Sequence, residues 1–185
     1  MLRRGFKSWC EKTSTNFRLQ LSLSNKDPLS PFNLADKMHV NVIPLNEIVG
    51  LSDNSLSILT GHAYSLWSAI TISKNNKHFI IYNHKHSFKR QSTDLMHELA
   101  HLIIGHDYNK TMFFDGTTIL RGYDKIQEDE ADWLAGTLLL PREVLLGIIK
   151  NNIDHSHVCN LFQVSPKLLS YRLNVTGVHY QTKKH

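Results

Sequence analysis

Cysteine is scarce in this chain. Cys10 and Cys159 are the two among 185 residues, and they form no C-x-x-C pair. A disulfide scaffold and a thiolate zinc site therefore both lack the ligands they need, and buried thiols in a reducing cytosol are the expected state. Long hydrophobic runs are missing too: no segment approaches the roughly 18 apolar residues of a membrane span. The opening MLRRGFKSWC has positive charge but no continuous apolar stretch behind it, so it matches a secretory signal peptide poorly. A cytoplasmic location with no membrane partner is expected. Excess charge of one sign is small, at +5, and gives little support to nucleic-acid binding, which is open but not favoured. Internal repeats and low-complexity tracts are absent. With 41% hydrophobic and 20% charged residues, the composition suits a globular protein with a real core. The length fits one ordinary domain or a small core with a helical appendage.

Phe6, Trp9, Cys10, Thr13, Phe17 and Leu21 recur at spacings of three and four, which predicts an opening amphipathic helix over residues 3–20. The prolines of NKDPLSPFN end it, a short helix follows around Phe32 to Met38, and HVNVIPL alternates like a strand. LWSAITIS and HFIIYN read as a hairpin turning at Asn75 and Asn76. In STDLMHELAHLIIGHD, Ser92 or Thr93 suits a helix N-cap, Asp94 suits the positive end of the dipole, and Gly105 suits the end. A mixed loop from Asp107 to Asp124 leads to a second helix, KIQEDEADWLAGTLLLP, closed by Pro141. The next helix turns Val144, Leu145 and Ile148 inward. Two short helices flank a QVSP turn near the end, and QTKKH is expected to fray.

The segment His97-Glu98-x-x-His101 carries the chemistry. Residues four apart share one helix face, so two imidazoles can approach one ion at about 2.0–2.1 Å. Glu98, next to the first histidine, is placed to act as a general base without ligating, the logic of H-E-x-x-H. By chance alone the pattern occurs in on the order of a few per cent of chains this rich in histidine. Its place on a capped amphipathic helix, with a second acidic helix downstream, argues for function.

A third ligand is required for a catalytic zinc. The route through H-E-x-x-H-x-x-G-x-x-H fails, because Ile104 and Asp107 stand where Gly and His are needed. The remaining route is Glu128. It shares a face with Ala131, Asp132 and Ala135, where small residues let two helices approach and Asp132 can hold the free N–H of a ligand histidine. Glu130 lies about 200° round the helix from Glu128 and reads as a solvated acid. His84-x-His86 and His155-x-His157 read as surface histidines. His106 can serve substrate binding or face solvent, and Tyr82 can stabilise an oxyanion or pack in the core. The strand HFIIYN is a candidate edge for an extended peptide.

DLMHELAHLIIGH followed by EDEADWLAGTLLLP resembles the ImmA/IrrE family of zinc metallo-endopeptidases. Its pattern is an H-E-x-x-H helix, then E-x-x-A-(N/D)-x-x-A and a Leu-Leu-x-Pro ending. GFKSWCEKT, DPLSPFNLADKMHV, WSAITI and YNHKHSFKRQSTDLMHELAH are similar to the N-terminal half of its members, so the likeness extends to about Leu145. The resemblance implies zinc as cofactor, His97, His101 and Glu128 as its ligands, and Glu98 as the catalytic acid. It further implies a protein substrate such as a helix-turn-helix repressor. Asp132 stands where Asn is frequent, and Leu134-Ala135 where Phe-Ala is common.

The expected fold is α+β: a small, mainly antiparallel sheet packed against zincin-type active-site helices. Residues 1–150 form the metallopeptidase domain, and 151–185 a helical, helix-turn-helix-like subdomain and tail. The rival function is a DNA-binding or protein-binding regulator that uses VCNLFQVSPKLLSYRLN, with a structural metal. Lys167 and Arg172 are the basic groups its reading helix offers.

Overall fold

In the computed structural model, residues 2–61, 63–75, 77–106, 113–114, 119–120 and 124–182 are described. Asn76 of the expected turn, most of the Asp107–Asp124 loop and residues 183–185 of the expected frayed tail lie outside them.

The chain is α+β. Helix α1 (Phe6–Gln20) and α2 (Pro31–Lys37) precede strand β1 (Asn41–Pro44). After α3 (Asp53–Thr60) come β2 (Ala69–Lys74) and β3 (Lys77–Tyr82), then the long helix α4 (Phe88–Ile104). Helices α5 (Lys125–Leu139), α6 (Arg142–Lys150), α7 (His155–Leu161), α8 (Pro166–Thr176) and α9 (Val178–Thr182) complete it. No helix among the described residues is long and apolar enough to cross a membrane.

The main sheet has the order β1-β3-β2. Its longer pairing, β2 with β3, is an antiparallel hairpin in which Ala69 faces Tyr82 and Lys74 faces Lys77. Asn75 turns it at φ 52°. Strand β1 adds in parallel, with Asn41 beside Phe79 and Pro44 beside Tyr82. HFIIYN is thus the central strand with both edges taken, so it cannot accept a peptide as expected. Strand β2 is the edge instead.

Helix α4 begins about a turn and a half earlier than expected. Ser87 is its N-cap, accepting a hydrogen bond from the Arg90 N–H at 3.4 Å, while Ser92 is buried inside the helix. The apolar stripe of α4, Leu95, Met96, Leu99 and Ala100, is wholly buried and shares one core cluster with Ile80 of β3 and Leu134 and Leu138 of α5. Fully burying each leucine contributes roughly 1.5–3 kcal/mol. Val158, Cys159, Phe162, Leu169 and Leu173 of the last helices belong to the same cluster.

Helix α5 packs against both α4 and α1, and its C-terminal carbonyls are met by buried cations. Arg18 donates from Nη2 to the Leu138 carbonyl at 2.8 Å and from Nη1 to Ser14 Oγ at 2.6 Å. Ser14 Oγ donates to the Thr137 carbonyl at 3.2 Å. Arg172 of α8 reaches the Leu140 carbonyl through Nε at 3.3 Å and Nη2 at 3.1 Å. A helix end leaves carbonyls unpaired and carries partial negative charge, so two guanidinium groups there fix where α5 stops. Burial lowers the Arg18 pKa to about 10, which still leaves it charged at neutral pH.

Candidate metal centre

Helix α4 sets His97 and His101 one turn apart, and the packing of α5 on α4 brings Glu128 beneath them. The two Nε2 atoms stand 3.0 Å apart. His97 Nε2 lies 3.1 Å from Glu128 Oε2, and His101 Nε2 lies 3.7 Å from Glu128 Oε1. One donor atom from each residue falls within 4.8 Å of the others. Tetrahedral bonds of about 2.0–2.1 Å put neighbouring ligand atoms roughly 3.3–3.4 Å apart, and the three separations straddle that value. These residues fit a divalent cation.

The electrostatics agree. Burial by itself would lower the His97 pKa, but its hydrogen bonds to Asp132 and Glu128 outweigh that and raise it to about 9. The imidazoles of His101 and His97 hold Glu128 well below the usual carboxylate range. The cluster therefore favours positive charge at its centre, held by a proton on His97 or by a cation that replaces it. Asp132 Oδ1 lies 2.9 Å from His97 Nδ1, which leaves Nε2 for the centre.

Glu98 is buried and turned toward the sheet, where its Oε2 accepts a hydrogen bond from Thr71 Oγ1 of β2 at 2.6 Å. Thr71 has no signal in the sequence beyond its place in the alternating AITIS run. Tyr82 packs edge-on against Phe32 at 6.1 Å between ring centres. Burial, then the nearby Glu47, raises its pKa, and none of its described contacts reaches the histidines or Glu128.

His106 and Glu130 depart from expectation. Glu130 is buried rather than solvated. Its Oε2 meets His106 Nε2 at 3.3 Å, and its Oε1 meets Arg3 Nε at 3.3 Å. His106 turns back over the metal cluster, with Nδ1 2.8 Å from His101 Nδ1. Burial is the chief cause that lowers its pKa. His86 is also buried rather than at the surface, 3.0 Å through Nε2 from the Tyr64 carbonyl, while His155 and His157 are exposed as expected. Arg172, one of the two cations the rival DNA reading needs, is wholly buried, so it cannot reach a phosphate.

Residues 51–174 match the family model described as Peptidase_M78, the IrrE N-terminal-like domain. No curated protein sequence matches the chain. Among solved structures, a Mycobacterium tuberculosis transcriptional regulator aligns at 11% identity with a TM-score of 0.48. The alignment covers 92% of this chain and 47% of the regulator, so the chain spans about half of that protein's length.

Proposed function

From the premise that this chain belongs to the Peptidase_M78 family of IrrE N-terminal-like domains, and so to the metallopeptidases, we propose that it is a zinc-dependent endopeptidase acting on a protein substrate. The observation that carries the reading is the convergence of His97, His101 and Glu128. Two imidazoles and one carboxylate are a donor set that suits zinc, and His97, His101 and Glu128 would hold it with room for water or substrate. When bound, zinc supplies a Lewis acid that brings the pKa of water from 15.7 to about 7 and polarises a carbonyl.

The chain's own residues supply the rest. Asp132 accepts the His97 Nδ1–H and fixes that tautomer. Thr71 anchors one oxygen of Glu98. The Glu98 carboxylate takes a proton from the attacking water as the water oxygen bonds to the scissile carbon. It then delivers that proton to the amine as the carbon–nitrogen bond breaks. Among the described residues β2 pairs only with β3, so its outer edge is where an extended peptide can add as a strand, beside the Glu98 that Thr71 holds.

The favoured substrate class is a helix-turn-helix repressor, as the sequence resemblance implies. Residues 1–150 are read as the catalytic unit and 151–185 as a helical, helix-turn-helix-like subdomain and tail. The cytoplasm is the fitting compartment for two buried free thiols. The test is to incubate the zinc-loaded protein and its Glu98→Gln variant with a folded helix-turn-helix repressor and with an unfolded generic protein, reading new N-termini by mass spectrometry. Wild type should cleave, and the variant should be slower by about 10²–10⁴-fold. Equal turnover by both would end the endopeptidase reading.

A further inference from the structure

We propose that His106 and Glu130 form a buried relay that sets the tautomer and orientation of His101, making them positioning residues for the metal. The inference rests on His101 being a ligand, as proposed above.

The backbone builds the relay. Gly105 closes α4 in the left-handed conformation, φ 78° and ψ 36°. Its N–H bonds the Leu102 carbonyl at 3.2 Å, and the His106 N–H bonds the His101 carbonyl at 3.1 Å. This is the paired bonding of a Schellman turn. It folds the chain back on itself and lays the His106 ring against the His101 ring, with centroids 4.9 Å apart and planes at 66°. A residue five positions along, which a continuing helix would carry away, is thereby set against the ligand.

The protons follow from the distances. Two Nδ1 atoms at 2.8 Å share one hydrogen between neutral rings. If His106 donated it, the proton of neutral His101 would sit on Nε2 and close that nitrogen to a cation. If His101 donates it, Nε2 keeps its lone pair for the centre it shares with His97 and Glu128. His106 then carries its own proton on Nε2, and that atom faces the Glu130 carboxylate at 3.3 Å. An acceptor-only group at the end of the chain selects the second arrangement. The side chains of His101, His106 and Glu130 are 3%, 7% and 9% exposed, so little solvent screens these bonds. Asp132, the partner of the other ligand histidine, is 64% exposed. Arg3 adds a bridge to the second Glu130 oxygen from a side chain that is 61% exposed.

The test measures zinc affinity by competition with a chromophoric chelator, and the His101 tautomer by imidazole ¹⁵N shifts of the metal-free protein. His106→Leu should weaken zinc binding by about 10–100-fold, more than Asp132→Ala does. His106→Gln, whose amide both accepts and donates, should restore most of the loss and keep the proton on His101 Nδ1. The relay is refuted if wild type binds one zinc and His106→Leu binds it as tightly with the tautomer unchanged. Equal losses in the Leu and Gln variants would also refute it, because packing alone would then explain the effect. Failure of wild type itself to bind zinc would instead overturn the ligand assignment, and the relay with it. Should His106→Leu not fold, Glu130→Leu, which removes the acceptor, carries the test: weakened zinc supports the relay and wild-type affinity contradicts it.

Discussion

Replacing Gly136 by alanine is expected to destabilise the protein, against the usual effect of that exchange in a helix. Gly136 lies within α5, where alanine ordinarily gains about 1 kcal/mol. Here the added Cβ would stand 2.8 Å from Arg172 Cδ and 3.5 Å from its Nε. That side chain cannot easily yield. It is wholly buried, held at its tip by the Leu140 carbonyl, and lies over the Trp133 ring at 5.5 Å. Overpacking costs about 1–3 kcal/mol, and loosening one charged hydrogen bond costs about 1.5–3 kcal/mol more. Setting the propensity gain of about 1 kcal/mol against these leaves a net loss of roughly 1.5–5 kcal/mol. Urea unfolding with an unchanged m-value measures it. In an Arg172→Met background the clash is relieved, and Gly136→Ala should become neutral or gain up to about 1 kcal/mol. A single variant as stable as wild type would show that Arg172 does not pin the end of α5.

Thr71→Val removes the 2.6 Å hydrogen bond to Glu98, worth about 1.5–3 kcal/mol with a charged acceptor. It should lower kcat on a cleavable peptide by about tenfold or more with KM little changed, and Thr71→Ser should restore it; an unaltered kcat for the valine variant would remove Thr71 from the site. Burial pushes the Cys10 thiol up to about 12, so at pH 8 its thiolate fraction is about one in 10⁴. Cys159 is likewise buried with its pKa raised by burial. Both should resist an aromatic disulfide reagent in the native protein and react in denaturant, whereas labelling of the folded chain within minutes would contradict their burial.

The parts of the site legible in the sequence are those that local helix geometry determines. His97 and His101 share a face because they are four apart, and Glu128 and Asp132 do so for the same reason. What escaped depends on packing between distant segments. Glu130 reads as a solvated acid from its place on the helix alone, but it is buried against His106 and Arg3, which come from distant segments. His106 fails the register of a third ligand, and only the reversal at Gly105 gives it a role; a glycine followed by histidine at the helix end is the signal that could have found it. HFIIYN reads as one strand of a hairpin, and its central position is set by β1, some forty residues earlier. Helix α3 buries no residue and so leaves no apolar stripe to read. Its one local cue is the Ser52 cap, whose Oγ accepts from the Ser55 N–H at 3.1 Å.

The most direct test of the account is zinc stoichiometry, measured by elemental analysis of dialysed protein with K-edge absorption to count nitrogen and oxygen neighbours. Wild type and Glu98→Gln should each hold one ion per chain with two imidazoles and a carboxylate, while His97→Ala should hold none and Glu128→Ala should hold it far more weakly. Full occupancy in Glu128→Ala, or loss of the ion in Glu98→Gln, would contradict it.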